Sequence, residues 1–221
     1  MIRLSVAIQH HPSRAELPKR LRRAMRNPGR VRYQDGPLIE VIHDPDPSGP
    51  PNPWRAAREC WRRTPDWCTH RLVIQDDALP CRRFLYHAQR AIAARPDRIT
   101  AFYVGTNAVL TYRRMLVAAQ DCTAWVEGDR TGWVPCIALA MPRALALSLA
   151  EFHDGTEPVA DDDVVGRWCR EHGLPWYATI PSLVDHDDDA PSLMKTQWAG
   201  RRVAACWVGQ ADPRLIDWDK G

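Results

Sequence analysis

The chain has 221 residues, of which 45% are hydrophobic and 26% charged, with a formal net charge of +3, so it is one large or two small domains with enough apolar material for a core. No apolar run approaches the roughly 20 residues that span a bilayer, and Met1 to Ile8 lacks the basic start and long apolar centre of a signal peptide; a membrane role is not expected, and the cytoplasm is. The 7 cysteines are odd in number, scattered and without a CxxC pair, which argues against a structural zinc site or a disulfide framework and for reduced core thiols.

Ile2 to Ile8 alternates and then fills with apolar residues, a first strand ending at Gln9-His10-His11-Pro12. Ser13 and Glu16 form a capping-box pattern, and Leu17, Leu21, Ala24 and Met25 recur at helical spacing, which predicts a helix from Ala15 to Met25. Leu38 to Ile42 is a second strand, ending at His43-Asp44, and the proline-rich run to Pro53 is a loop. Asn52 and Pro53 open a helix with Trp54, Ala57 and Trp61 on one face.

The stretch Leu72-Val73-Ile74-Gln75-Asp76-Asp77-Ala78-Leu79-Pro80 is the centre of the reading. A buried strand runs straight into paired carboxylates and stops at a proline. Two adjacent acids at the mouth of a buried strand are costly unless something cationic meets them. Ligands of an open α/β sheet bind at the carboxyl ends of its strands, so a divalent metal carrying a phosphate group is the natural candidate, with solvation of a turn as the plain alternative.

A helix from Arg82 to Ala94 follows, with Leu85, Ala88, Ala91 and Ile92 inward, then a strand from Ile99 to Val104. Thr106 to Gly132 reads as irregular with one helix or hairpin, Val134 to Met141 as a strand, and Pro142 as the start of a helix through Leu145, Leu149 and Phe152. Asp161-Asp162-Asp163 opens another helix with Val164, Val165, Trp168 and Cys169 inward, stopping at Gly173. Tyr177 to Val184 is a last strand, interrupted by Pro181 and ending at Asp185-His186. Strand and helix alternate, which predicts an α/β fold with three layers and a mostly parallel, Rossmann-like central sheet. Residues 1–190 read as that domain, and 191–221, with Trp198, Arg201, Arg202, Trp207 and Trp218, as an extension packed on it.

This order of features resembles the nucleotide-sugar glycosyltransferases of the GT-A type, especially short bacterial and phage members, over roughly Ile2 to His186. Its carriers are Val6-Ala7-Ile8-Gln9, Val41-Ile42-His43-Asp44, Val73-Ile74-Gln75-Asp76-Asp77, Met141-Pro142-Arg143, Asp161-Asp162 and Pro181-Ser182-Leu183-Val184-Asp185-His186. The resemblance implies a GT-A-like fold and a metal-dependent transfer of a sugar from a nucleotide-diphosphate sugar, with UDP-sugar as donor and Mn2+ or Mg2+ bridging the phosphates. It assigns Asp77 and His186 to the metal, Asp76 to the ribose or metal, and Gln75 to the first motif position, where glutamine replaces the usual aspartate. Gln9 and His10 fall in the nucleotide loop, and Asp44 is assigned to the base. Asp162 is the general base, in register with Val165 and Gly173, with Asp161 or Asp163 as an orienting neighbour; capping of the helix N-terminus competes as an explanation for these acids.

Kinship suggests a macromolecular acceptor, either hydroxymethylated pyrimidine in phage DNA, which would place the protein in the host cytoplasm, or a virion or cell-surface protein. With DNA, Arg62-Arg63, Arg113-Arg114 and the tail would line the approach, and Trp125, Trp133 and Trp198 could stack on a sugar or base. A non-catalytic nucleic-acid-binding protein using arginines and tryptophans is the second class of reading. A nucleotidyltransferase shares the acidic site but lacks here a glycine- and lysine-rich loop near the first strand.

Overall fold

The computed structural model describes residues 1–26, 38–152, 160–190, 201–209, 213 and 216–220. Leu4–His10 (β1), Ile39–His43 (β2), His70–Gln75 (β3), Ile99–Ala101 (β5), Trp125–Glu127 (β6), Ala138–Pro142 (β7) and Trp176–Thr179 (β8) form one sheet in the order β2-β1-β3-β7-β5-β8-β6. A second, two-stranded ladder joins Ala78–Pro80 (β4) to Val184–His186 (β9). In the large sheet β2, β1, β3, β5 and β8 run one way and β7 and β6 the other. The sheet is thus mostly parallel by strand direction, but an antiparallel β7 splits its parallel strands into two groups, which alternation of strand and helix did not foretell.

Both faces of the sheet are covered. Leu4, Val6 and Ile8 of β1 and Leu72 and Ile74 of β3 pack with helices Leu17–Arg26 (α1) and Phe84–Ala94 (α3), whereas Ala7 and Val73 point to the other core. That second core is built by Pro53–Arg62 (α2), Val109–Gln120 (α4), Arg143–Glu151 (α5) and Asp161–Glu171 (α6). Burial on both faces is why β1 is buried at every position from Leu4 to His10.

Several elements differ from expectation for identifiable reasons. The first helix starts at Leu17, not Ala15, because Pro18 is tolerated only in a first turn. Before it, Pro12–Arg14 forms a 3-10 turn capped by His11, whose Nδ1 accepts from the Ser13 amide, and Glu16 pairs with Lys19 instead of closing a capping box. Thr106 to Gly132 is more regular than expected, containing α4 and β6. The run from Tyr177 to Val184 is two strands, β8 and β9, with Pro181 between them, where no amide is available for a ladder. Ala78-Leu79-Pro80, beyond the carboxylates, is a separate strand that pairs antiparallel with β9.

The tail joins the same core where it is described: Ala204 bridges Gly105, and the Trp218 ring lies 5.8 Å from Trp125. Trp198 and the rest of 191–200 lie outside the described residues. All the cysteines are free thiols. Among the described residues no helix is long and apolar enough to cross a membrane.

Gly166 sets how closely α6 approaches the segment before β7. A Cβ there would stand 2.7 Å from the Gly132 carbonyl oxygen and 2.9 Å from the Trp133 Cα, with backbone as the obstacle. Gly166→Ala is expected to destabilise the protein by about 1–3 kcal/mol despite alanine's better helix propensity, read as a lowered melting temperature.

Candidate functional site

The chain passes from β1 outward to β2 and then crosses back to β3 on the other side of β1. The sheet order therefore reverses between β1 and β3, and the crevice outside their carboxyl ends is where such sheets take ligands. A cavity of about 380 Å³ opens there. Gln9, His10, Asp44, Gln75, Asp76, Asp77, Asp161, Asp162 and His186 all line it, together with His11, Arg14, Tyr103, Asn107, Trp133 and Arg202. Asp163 is exposed and does not.

Asp76 and Asp77 are 2% and 5% exposed, and both meet cations. The Asp76 Oδ2 lies 2.6 Å from the His10 Nδ1, and its Oδ1 accepts from the Arg14 Nη1 at 2.8 Å. With the His11 amide also directed at it from 3.4 Å, Asp76 is held entirely by protein donors. The same Arg14 nitrogen donates to the Asp77 Oδ2 at 2.8 Å, and the His186 Nε2 stands 3.4 Å from that oxygen. Burial pushes the Asp77 carboxyl up, but His186 and Arg14 outweigh it and hold the group below the usual carboxylate range.

The other oxygen of Asp77, Oδ1, is buried without a hydrogen-bond partner. An ionised oxygen left so in a cavity wall calls for a ligand. His186 is set up to share it: its Nδ1 lies 2.9 Å from the Asp188 Oδ1, which fixes the ring with Nε2 on the side of Asp77, a donor to Asp77 when the imidazole is protonated and a lone pair for a cation when it is not. Asp188 in turn accepts from the Arg202 amide at 2.7 Å and from its Nε at 3.1 Å. The β4–β9 ladder, which pairs Ala78 with His186, carries the histidine back to the acids.

Asp77 and His186 fit a divalent cation as two donors, not as a closed cage. Among the described residues no group of three or more His, Cys, Asp or Glu side chains is disposed to hold a metal. Such a pair suits an ion that takes its remaining ligands from phosphate and water, as Mg2+ commonly does.

Asp161 and Asp162 open α6 and also line the cavity. Asp161 is buried and accepts from the Gln75 Nε2 at 3.0 Å, so the glutamine of the acidic stretch serves the second acid cluster. Burial raises the Asp161 carboxyl above its ordinary value. Burial, then the charges of Asp161 and Asp163, push Asp162 up to about 7. Asp163 acts on Asp162 in two opposed ways: its charge raises the carboxyl, and its backbone amide, donating to the Asp162 Oδ1 at 3.0 Å, lowers it.

Asp44 is committed elsewhere. Arg55 grips it with Nε at 2.6 Å and Nη2 at 2.8 Å, and the Asp46 amide donates to it at 3.0 Å. Burial raises its pKa, but these donors pull it below the ordinary value. Its place in the wall stands; its oxygens are already occupied by protein. Gln9 donates from Nε2 to the Pro53 carbonyl at 3.1 Å, while its Oε1, like the Asn107 Oδ1, is buried and unpartnered.

Arg14, Arg55, Asp188, Tyr103 and Asn107 escaped the sequence reading. Arg14 is one of many arginines, and only the fold brings it between the acids. The aromatic expectation is corrected in part: Trp125 is core, donating to the Trp218 carbonyl at 2.9 Å, whereas Trp133 lines the cavity. Arg62 and Arg63 are engaged with Glu59. No protein-family model matches the chain, and no curated protein matches it.

The acids of α6 make stability depend on pH with a definite sign. A carboxyl whose folded pKa is raised binds more protons in the folded state, so its contribution is fully present below the unfolded value, about 3.9, and is lost as pH rises through about 7. Asp162→Asn is therefore expected to raise the melting temperature at pH 8 relative to the unsubstituted protein, at about 2–4 °C per kcal/mol gained, and to leave it little changed at pH 4. Thermal denaturation at the two pH values reads the difference.

Proposed function

We propose that the cavity transfers a sugar from a nucleotide-diphosphate sugar, with a UDP-sugar as the first candidate, to an acceptor hydroxyl on a GT-A-like scaffold, with Mn2+ or Mg2+ as cofactor. The observation that carries the reading is the buried, unpartnered Oδ1 of Asp77 beside the His186 Nε2, at the reversal point of the sheet. The same crevice holds two cation donors, Asp77 and His186, and an acid that burial raises to about 7, Asp162, which supports a leaving-group site and a nucleophile site in one cavity.

Asp77 and His186 would hold the cation, which supplies neutralisation of charge growing on the departing diphosphate. His10 and Arg14 occupy the two oxygens of Asp76 next to Asp77 and fix the turn that presents it. Gln9 and Asn107 offer unpaired acceptors, which suits the hydroxyl and N–H donors of a nucleotide sugar. In the same cavity Asp162 takes the acceptor hydroxyl's proton as that oxygen bonds the anomeric carbon, and the bond to the phosphate oxygen breaks with its electron pair staying on the diphosphate. With its pKa near 7, Asp162 is poised to accept a proton at neutral pH.

The test combines binding and turnover. UDP with Mn2+ at a hundred times its dissociation constant should stabilise the protein by about 2.7 kcal/mol, and Asp77→Ala should abolish that gain while the fold survives. Asp162→Asn should keep it and lower the release of UDP from its sugar donor by roughly 10²–10⁴-fold. Absence of any thermal shift across a panel of nucleotides with Mn2+ would remove the proposal.

A further inference from the structure

Arg14 is used in an unusual way. A guanidinium matches a carboxylate or phosphate best with two parallel N–H donors. Here one nitrogen, Nη1, is shared between the Asp76 Oδ1 and the Asp77 Oδ2 at 2.8 Å each, while the Nε is buried with no hydrogen-bond partner. Arg14 thus serves the acids as a point charge and leaves donor capacity unspent in the cavity wall. Its side chain is 9% exposed and rises from the end of the 3-10 turn after β1.

That position conflicts with a divalent ion on Asp77. Such an ion would cancel the negative charge that draws Arg14 inward and would repel the guanidinium at short range. The anion nearest to a displaced Arg14 would be the phosphate the ion carries, and a phosphate accepts the two-pronged contact that the present arrangement does not supply.

We propose that Arg14 is a placeholder cation: it neutralises Asp76 and Asp77 until a divalent ion arrives, then releases Asp77 and binds the donor's diphosphate. The inference rests on the metal-dependent reading of the cavity and adds a competition and an exchange of partners to it. It makes free metal a poor ligand and metal with nucleotide a good one, because Arg14 opposes the first and assists the second.

The experiment measures dissociation constants, not activity: Mn2+ alone by electron paramagnetic resonance, and UDP in saturating Mn2+ by calorimetry, for the unsubstituted protein, Arg14→Gln and Arg14→Lys. Arg14→Gln should bind Mn2+ alone more tightly and UDP–Mn2+ more weakly, each by roughly five- to tenfold or more. Arg14→Lys, which keeps a point charge without the fork, should leave Mn2+ binding near the unsubstituted value and still weaken UDP–Mn2+. Arg14→Gln removes the cation shared by two buried carboxylates and is expected to melt lower, and Mn2+ should restore its melting temperature by more than it raises that of the unsubstituted protein. A merely structural arginine would weaken both ligands together. Unchanged or weaker Mn2+ binding in Arg14→Gln overturns the exchange while leaving the transferase reading in place; failure of the unsubstituted protein to bind UDP with Mn2+ overturns both.

Discussion

The structure depends on the cost of burying Asp76 and Asp77 side by side at the end of a fully buried strand. Two carboxylates with almost no solvent contact must be met by positive charge or be protonated. The fold meets them from three directions. His10 comes from the neighbouring strand, Arg14 from the turn that follows it, and His186 from the end of β9. The 3-10 turn capped by His11 aims Arg14, and the β4–β9 ladder, with Asp188 behind the histidine, aims His186.

This compensation is incomplete in one direction. Asp76 has donors on both oxygens, whereas Asp77 has one oxygen without a partner. The asymmetry divides the pair into a member that anchors and a member that presents. The acids of α6 in the same cavity are arranged by the opposite logic: Asp161 and Asp162 sit close together with little positive charge, so burial raises their affinity for protons. Two acid clusters, one met by Arg14 and histidines and one drawn toward neutrality by burial, give a single cavity two chemically distinct acid sites.

Much of this was legible in the chain. An alternating then continuous apolar stretch located β1, a continuous apolar run located β3, the carboxylates at the end of β3 marked the crevice, and His186 was singled out by the resemblance carried by Pro181-Ser182-Leu183-Val184-Asp185-His186. What stayed hidden is what only three dimensions supply. Pro18 could have moved the start of α1 had its missing amide been weighed against the capping pattern. The reversal of β7 has no local signature, since a strand reads alike in either direction, and the same holds for the pairing of Ala78-Leu79-Pro80 with β9. Arg14 and Arg55 are indistinguishable by type from the other arginines, and Asp44 looked available because its partner lies on the following helix. Trp125 looked free for stacking because the strand that buries it, β6, is too short to show a period.

The central claim is that the free face of Asp77 and the Nε2 of His186 take a cation together. Anomalous diffraction from a crystal grown with Mn2+ and UDP tests it directly. The account predicts a manganese peak at about 2.0–2.3 Å from both atoms, near the coordination distances of hard divalent cations and imidazole, with diphosphate oxygens completing its shell. Diffraction showing UDP or Mn2+ elsewhere, with the Asp77 Oδ1 still unpartnered, would contradict it.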